Sequence, residues 1–426
     1  MTQRLAARAG QVTPEMEQVA RSENVDPATV AHGVASGKIV IPRNNRRRAM
    51  SVIGIGQGLR TKVNALIGTS SDQDDIEVEA GKVRMAIVAG SEMLMDLSTG
   101  GRITPVLHQT LAVSTVPVGT TPIYQAALEA IEKRGGIVFM TADDIFSVIE
   151  RQAAAGVDFM ALHCGFTRSV ITRLKRQGRV TDIVSRGGAF LTCWMLHHEQ
   201  ENPLYEQYDR LLEMARRYDV TLSLSDGIRP GCIADSLDRA QVQGTIVIGE
   251  LVERAWDAGV QVMVEGPGHI PLDEIEPTLV LQKQLCRNAP YFMLGPLATD
   301  TGAGHDHITA AIGATVATAA GANAICYVTP AEHLGLPTSE DVRDGMAATR
   351  IAVHAGDLAK GHSWAWEREL SMAQARRAGD RERMRSLALD PDRVDALAPR
   401  RDAVVPGEVA GQLSARKLLA QYLEAE

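Results

Sequence analysis

The chain has 426 residues but only five cysteines, at positions 164, 193, 232, 286 and 326, an odd number without a single CxxC pair. That scatter excludes a disulfide framework and fits reduced thiols in a cytoplasmic protein. Aromatic residues make up only 4 %, against 38 glycines, so packing must rest on aliphatic side chains and close backbone approach. No apolar run reaches the roughly 18 to 20 residues that span a bilayer. The first ten residues are polar, carry Arg4 and Arg8, and lack the apolar stretch of a secretion signal. No GxSxG, phosphate-binding P-loop or dinucleotide fingerprint occurs. A net charge of −8 argues against nucleic acid as the main partner while leaving room for a local basic pocket.

What is present is alternation. Apolar runs recur near Val63, Leu94, Val116, Phe159, Phe190, Leu222, Val262 and Ile325, with a further one near Tyr291. Amphipathic stretches such as Asp143 to Ala155 and Leu204 to Arg217 lie between many of them. Repeated strand–helix alternation predicts a parallel sheet, and eight or nine strands favour a closed (β/α)8 barrel of the TIM type, an α/β fold. The expected organisation is an N-terminal arm over 1–60, the barrel over 61–360 and a C-terminal helical arm over 361–426. Thr13-Pro14 and Asp26-Pro27 read as helix starts, Lys38 to Pro42 as an extended piece and Asn44 to Arg48 as a basic loop. Trp364 to Arg385 and Leu387 to Ala398 read as helical, Val404 to Gly407 as a break and Leu413 to Leu423 as a last amphipathic helix.

Polar and glycine clusters follow several of these runs, and in a barrel such loops converge on one mouth. Val264-Glu265-Gly266-Pro267-Gly268-His269 and Thr329-Pro330-Ala331-Glu332-His333 each end in a histidine just beyond a strand. Two imidazoles on that face can share one metal, and each can equally be a hydrogen-bonded structural residue. Asp96, Asp226 and Glu265 are acidic candidates at strand ends, able to hold a hydroxyl, orient an amine or act as a base, or simply to cap a loop. Ser185-Arg186-Gly187-Gly188 suits an anion cradle, to which Asp226-Gly227-Ile228-Arg229 could add a second guanidinium; a plain turn fits each as well. Tyr124 follows a strand, as does His163. His305-Asp306-His307 is metal-like in content but ranks lower, since residues two apart diverge on a helix.

Taken together, the runs Met95 to Gly100, Gly119 to Gln125, Ser185 to Gly188, Asp226 to Gly231, Glu265 to His269, Cys326 to Pro337 and His354 to His362 resemble the phosphomethylpyrimidine synthase (ThiC) family of thiamin biosynthesis, together with its relative 5-hydroxybenzimidazole synthase. The resemblance extends from Lys38 to about Leu389. It implies a (β/α)8 barrel, a homodimer and a radical S-adenosylmethionine lyase acting on 5-aminoimidazole ribonucleotide. By the same resemblance, Met95, Tyr124, His163, Ser185, Arg186, Gly187, Asp226, Gly227, Arg229 and Glu265 match substrate contacts. Glu265 and Asp226 are the implied acid–base groups. His269 and His333 match a metal pair, zinc ligands by kind, whose open positions face S-adenosylmethionine.

Three departures accompany the resemblance. Leu66 stands where the family has asparagine, and Phe292 where it has tyrosine. The family also ends in a CxxC pair, a glycine and a third cysteine that hold a [4Fe–4S] cluster. Here the matching stretch is Gly407 to Ser414, with Gly407, Ala410 and Ser414 at the thiolate positions. Glycine, alanine and serine cannot replace the three thiolates of such a cluster. Two further readings follow: a cluster-free enzyme of metal-dependent polar chemistry, and a non-catalytic subunit that pairs with a cluster-bearing homologue.

Overall fold

A computed structural model describes residues 1–48, 50–397 and 422. The chain divides into two compact units, 1–365 and 366–426. The cysteine-replacing stretch Gly407 to Ser414, the break at Val404 to Gly407 and, Tyr422 apart, the expected helix Leu413 to Leu423 lie outside the described residues.

The N-terminal segment folds where its capping residues direct. The Thr13 side chain accepts from the Met16 N–H and the Asp26 side chain from the Ala28 N–H, each directly before a proline already set for a helix. The helices Pro14–Glu23 and Pro27–Ser36 follow and end at left-handed Asn24 and Gly37. Their apolar faces meet at Met16, Val19, Val30 and Val34, together with Ile41. Strands β1 (Ile39–Val40) and β2 (Ile55–Gly56) form a small antiparallel ribbon.

Eight parallel strands close the barrel: β3 (Lys62–Ile67), β4 (Met93–Asp96), β5 (Val118–Thr120), β6 (Phe159–Leu162), β7 (Thr221–Leu224), β8 (Val262–Gly266), β9 (Tyr291–Met293) and β10 (Ala324–Cys326), with β10 pairing back onto β3. The strands are buried almost throughout, as parallel strands covered by helices on the outside must be. Of the nine apolar runs, the one at Phe190 is not a strand. It lies in the helix Arg186–His198, started by the Ser185 cap, and buries Leu191, Trp194 and Met195 at helical spacing. The Tyr291 run supplies a strand instead. The run at Val116 leads into β5 two residues later than its centre. Helix Pro203–Glu206 stops at Gln207 before Tyr208–Tyr218 resumes.

The closed end of the barrel is tied to the N-terminal segment by buried amides. Asn44 Nδ2 donates to the carbonyls of Ala153 (2.7 Å) and Val157 (2.8 Å), and the Asn44 N–H donates to Asp158 just before β6 (3.0 Å). Gln261, just before β8, accepts from the Ile41 N–H (2.8 Å) and donates to the Ile41 carbonyl (3.1 Å). In the second unit, Arg385 Nε pairs with Asp395 (2.7 Å), joining the helices Arg381–Leu387 and Pro391–Leu397. No helix among the described residues is long and apolar enough to cross a membrane.

Asn44→Ala removes the side-chain donor from two buried carbonyls, Ala153, which keeps only the Gly156 N–H, and Val157, and is expected to cost about 2 kcal/mol of stability. Urea unfolding followed by circular dichroism checks this; an unchanged midpoint contradicts it.

Candidate functional site

At the open end of the barrel, strand parity decides which side chains meet. Successive residues of a strand face opposite ways. On β4, Met95 lines the central cavity, whereas Asp96 turns away and accepts from the Ser98 N–H (2.9 Å) and Ser98 Oγ (2.6 Å). Asp96 therefore serves as a loop cap, the alternative reading of that position. The cavity has a volume of about 370 Å³, and Leu66, Met95, Tyr124, His163, Ser225, Arg229, Glu265, His269, Glu332 and His333 are among its walls. Seven of the sequence-expected residues thus share one space: Met95, Tyr124, His163, Arg229, Glu265, His269 and His333.

Glu265, at the end of β8, is buried and accepts from Ser223 Oγ (2.8 Å) and Ser225 Oγ on β7 and its following loop. Burial pushes its carboxyl above the ordinary range, against the two serine hydrogen bonds and the charge of Arg229. Asp226 is buried beside the cavity without lining it, and accepts from the Ile228 N–H (3.3 Å). Burial raises it to about 7, opposed by Arg229 and Arg179.

Ser185, Arg186, Gly187 and Gly227 form the neighbouring wall. Ser185 Oγ accepts from the Gly188 N–H (3.2 Å) as the cap of helix Arg186–His198 and lies 3.0 Å from His163 Nε2. A Cβ on Gly187 would stand 2.3 Å from the His163 ring, and one on Gly188 2.3 Å from the Gly227 carbonyl. Glycine is therefore required for this helix start to sit against His163 and the loop after β7. The Arg186 guanidinium lies 5.7 Å from the Tyr124 ring centroid. A second cavity of about 300 Å³, lined by Leu66, Lys82, Thr99, Arg186 and Glu332 among others, adjoins the first. His163 is held near pKa 3 by burial and by Arg229, so its ring is neutral, and its Nδ1 has no partner among the described residues.

His269 and His333 come together with ring centroids 5.2 Å apart. His269 Nδ1 lies 2.8 Å from Asp300 Oδ1 and His333 Nδ1 lies 3.1 Å from Asp306 Oδ2, which leaves Nε2 of each ring as the nitrogen able to bind an ion. A carboxylate behind each imidazole is the arrangement that orients and strengthens metal-binding histidines. The donor set therefore fits a divalent metal with two protein ligands and open positions. Among the described residues no group of three or more His, Cys, Asp or Glu could hold an ion.

The same observation tests the iron–sulfur cluster that the resemblance implies, and there the residues do not fit. All five cysteines are described, none is paired, and no three share a site. Cys164 and Cys326 are wholly buried, and burial pushes their thiols far up, the reverse of what an iron-binding thiolate needs.

Of the two family departures inside the barrel, Leu66 lines both cavities, whereas Phe292 is fully buried on β9 in register with Glu265. Sequence reasoning missed Ser223, Ser225, Asp300 and the role of Asp306. The serines had a usable signal, alternating on a strand beside Glu265. Asp306 had the metal-like content of its triplet, though its role is to hold a distant histidine. Asp300 had none.

Burial of neutral groups gives the site a pH signature. Asp226 is raised from 3.8 to about 7 on folding. Its contribution to stability is thus fully present below its unfolded value and is lost as pH rises through about 7. His163 runs the opposite way: lowered from 6.5 to about 3, it contributes fully above 6.5 and loses that contribution as pH falls. Asp226→Asn cannot ionise, so its melting temperature relative to wild type should be higher at pH 8 than at pH 5; an equal difference at both contradicts the assignment.

Comparison with known proteins identifies the family. A profile described as the Radical SAM ThiC family matches residues 2–411. The chain is 62 % identical over 397 residues to the 5-hydroxybenzimidazole synthase BzaB of Moorella thermoacetica, covering 93 % of each chain. It is 57 % identical over 425 residues to the phosphomethylpyrimidine synthase of the same organism, covering 99 % of this chain and 98 % of that one. It is 55 % identical over 428 residues to the phosphomethylpyrimidine synthase of Desulforamulus reducens, covering 100 % of this chain and 99 % of that one. These relatives are named synthases of thiamin-pyrimidine or benzimidazole formation, and the chain, an enzyme of the phosphomethylpyrimidine synthase type, belongs to the Radical SAM ThiC family.

Proposed function

We propose that the barrel mouth binds 5-aminoimidazole ribonucleotide, or a closely related phosphate, beside a zinc ion held by His269 and His333, and rearranges it as a carbon–carbon lyase. The observation that carries this reading is the set of groups that line the central cavity and the one adjoining it. A glycine-cleared helix start with Arg186 and Arg229 suits a phosphate. Glu265 on two serines suits a polar heterocycle, and the imidazole pair suits a metal.

In this reading the Arg229 and Arg186 guanidiniums and the N–H groups at the start of helix Arg186–His198 hold the phosphate. His163, neutral and fixed by Ser185, presents an uncharged ring to the ligand. Tyr124 and Met95 set the width of the pocket. Burial raises Asp226 to about 7, so that it can hold a proton near neutral pH, and raises Glu265 above the ordinary carboxyl range; an approaching positive group favours release of the proton from either. The zinc, when bound, supplies Lewis-acid polarisation and open positions, which the family resemblance assigns to S-adenosylmethionine. Leu66 removes an amide contact from the cavity wall, which favours a less polar or differently placed substrate group there. The working protein in this reading is a cytoplasmic homodimer.

The absence of any three-thiolate site favours a second element of the proposal. The cluster of the family reaction, where that reaction is run, resides on a cluster-bearing homologue with which this chain pairs. Non-radical, metal-dependent turnover by the chain alone is the competing outcome.

Calorimetry with 5-aminoimidazole ribonucleotide is expected to show binding that weakens about 10- to 100-fold in Arg229→Ala, the loss for charge-assisted phosphate contacts. Equal binding by both proteins overturns the substrate assignment. For turnover, the chain is mixed with S-adenosylmethionine, zinc, reductant and a phosphomethylpyrimidine synthase whose own pocket is disabled but whose cluster is intact. Product by mass spectrometry only in the mixture supports pairing; product from the iron-free chain alone supports non-radical chemistry.

A further inference from the structure

The segment between β9 and the helix Asp306–Ala319 has no role in the proposal so far, yet it touches every loop that carries the metal pair. Its backbone clasps the first histidine: the Leu297 N–H donates to the Gly268 carbonyl (2.6 Å) and the Ile270 N–H donates to the Leu297 carbonyl (3.1 Å), flanking His269 on both sides. Leu297 also packs with Val328 and Ala310, so the same buried contact braces the run leading to His333. From this braced segment two carboxylates project. Asp300 Oδ1 meets His269 Nδ1 at 2.8 Å, and Asp306, at the start of its helix and buried, meets His333 Nδ1 at 3.1 Å. Asp300 spends its other oxygen elsewhere: Oδ2 accepts from the Ile233 N–H (2.9 Å), in the loop after β7 that also carries Arg229.

We propose that Asp300 and Asp306 are the positioning residues of the metal pair, and that Asp300 couples metal occupancy to the arginine-bearing loop after β7. The inference rests on the reading of His269 and His333 as metal ligands. A hydrogen bond from Nδ1–H to a fixed carboxylate selects the tautomer with a free Nε2 and holds the ring plane, so the ion meets two pre-oriented ligands. Because both carboxylates belong to one segment, the two rings keep their spacing by a single rigid element. The two oxygens of Asp300 serve two loops. When His269 is held in place by an ion, Asp300 is held with it, and the Ile233 N–H keeps its acceptor. The arginine loop is then ordered by metal binding in advance of any phosphate.

The test uses full-length protein stripped with chelator and titrated with zinc against a chromogenic competitor. Asp300→Ala and Asp306→Ala are each expected to weaken zinc about 10- to 100-fold, the usual effect of removing such a partner. Asp300→Asn should recover most of that affinity, because its carboxamide oxygen still accepts from Nδ1–H. Melting of the metal-free Asp300→Ala protein should match wild type, since Asp300 is one-third exposed, and this variant carries the test even where Asp306→Ala fails to fold. Hydrogen exchange reads the coupling. Zinc should slow the Ile233 amide in wild type, and should not in Asp300→Ala or in Asp300→Asn, whose second atom donates and cannot accept. Wild-type zinc affinity in Asp300→Ala, with zinc lost from His333→Ala, overturns the positioning role and leaves the metal pair standing. Zinc retained by His333→Ala overturns the metal pair and the inference with it. Exchange at Ile233 that ignores zinc in wild type overturns the coupling.

Discussion

The site depends on keeping polar groups neutral or paired inside an aliphatic barrel. A charge brought into such an interior is expensive unless it is compensated, so the side chains at the barrel mouth are arranged around that cost. Glu265 rests on two serine hydroxyls, His163 is held neutral against Ser185, and each metal-face imidazole has a carboxylate behind it. Arg229 lines the central cavity and Arg186 the one that adjoins it.

The contrast with the cluster is one of donor chemistry. The chain retains an imidazole pair with oriented ring nitrogens, whereas its thiols are dispersed and, at Cys164 and Cys326, buried in the barrel wall. Close relatives named for pyrimidine and for benzimidazole synthesis cover nearly the whole length of the chain. The chain belongs to their family, while its five cysteines include no CxxC pair.

Much of this was legible in the sequence. Eight of nine apolar runs marked barrel strands, because parallel strands are apolar along their whole length. The exception, Phe190, failed for a local reason: an apolar run beginning four residues after a serine cap reads alike as strand or helix until its burial period is seen. Seven expected site residues line one cavity because Met95 and Glu265 hold inward positions on their strands and the other five stand on the loops or helix start that follow strands. Asp96 fell out by a single residue of register, its neighbour Met95 taking the inward position. Asp300 and Asp306 were hidden because their partners are 31 and 27 residues away, and nothing in local pattern encodes a contact between loops of different strands.

On the reading proposed above, this chain binds its ligand in the barrel without carrying a cluster. The most direct measurement is iron and acid-labile sulfide per chain after strictly anaerobic reconstitution with iron, sulfide and reductant. The account predicts no stoichiometric cluster. About four iron and about four sulfide per chain, with the charge-transfer absorption of a [4Fe–4S] centre, would contradict it.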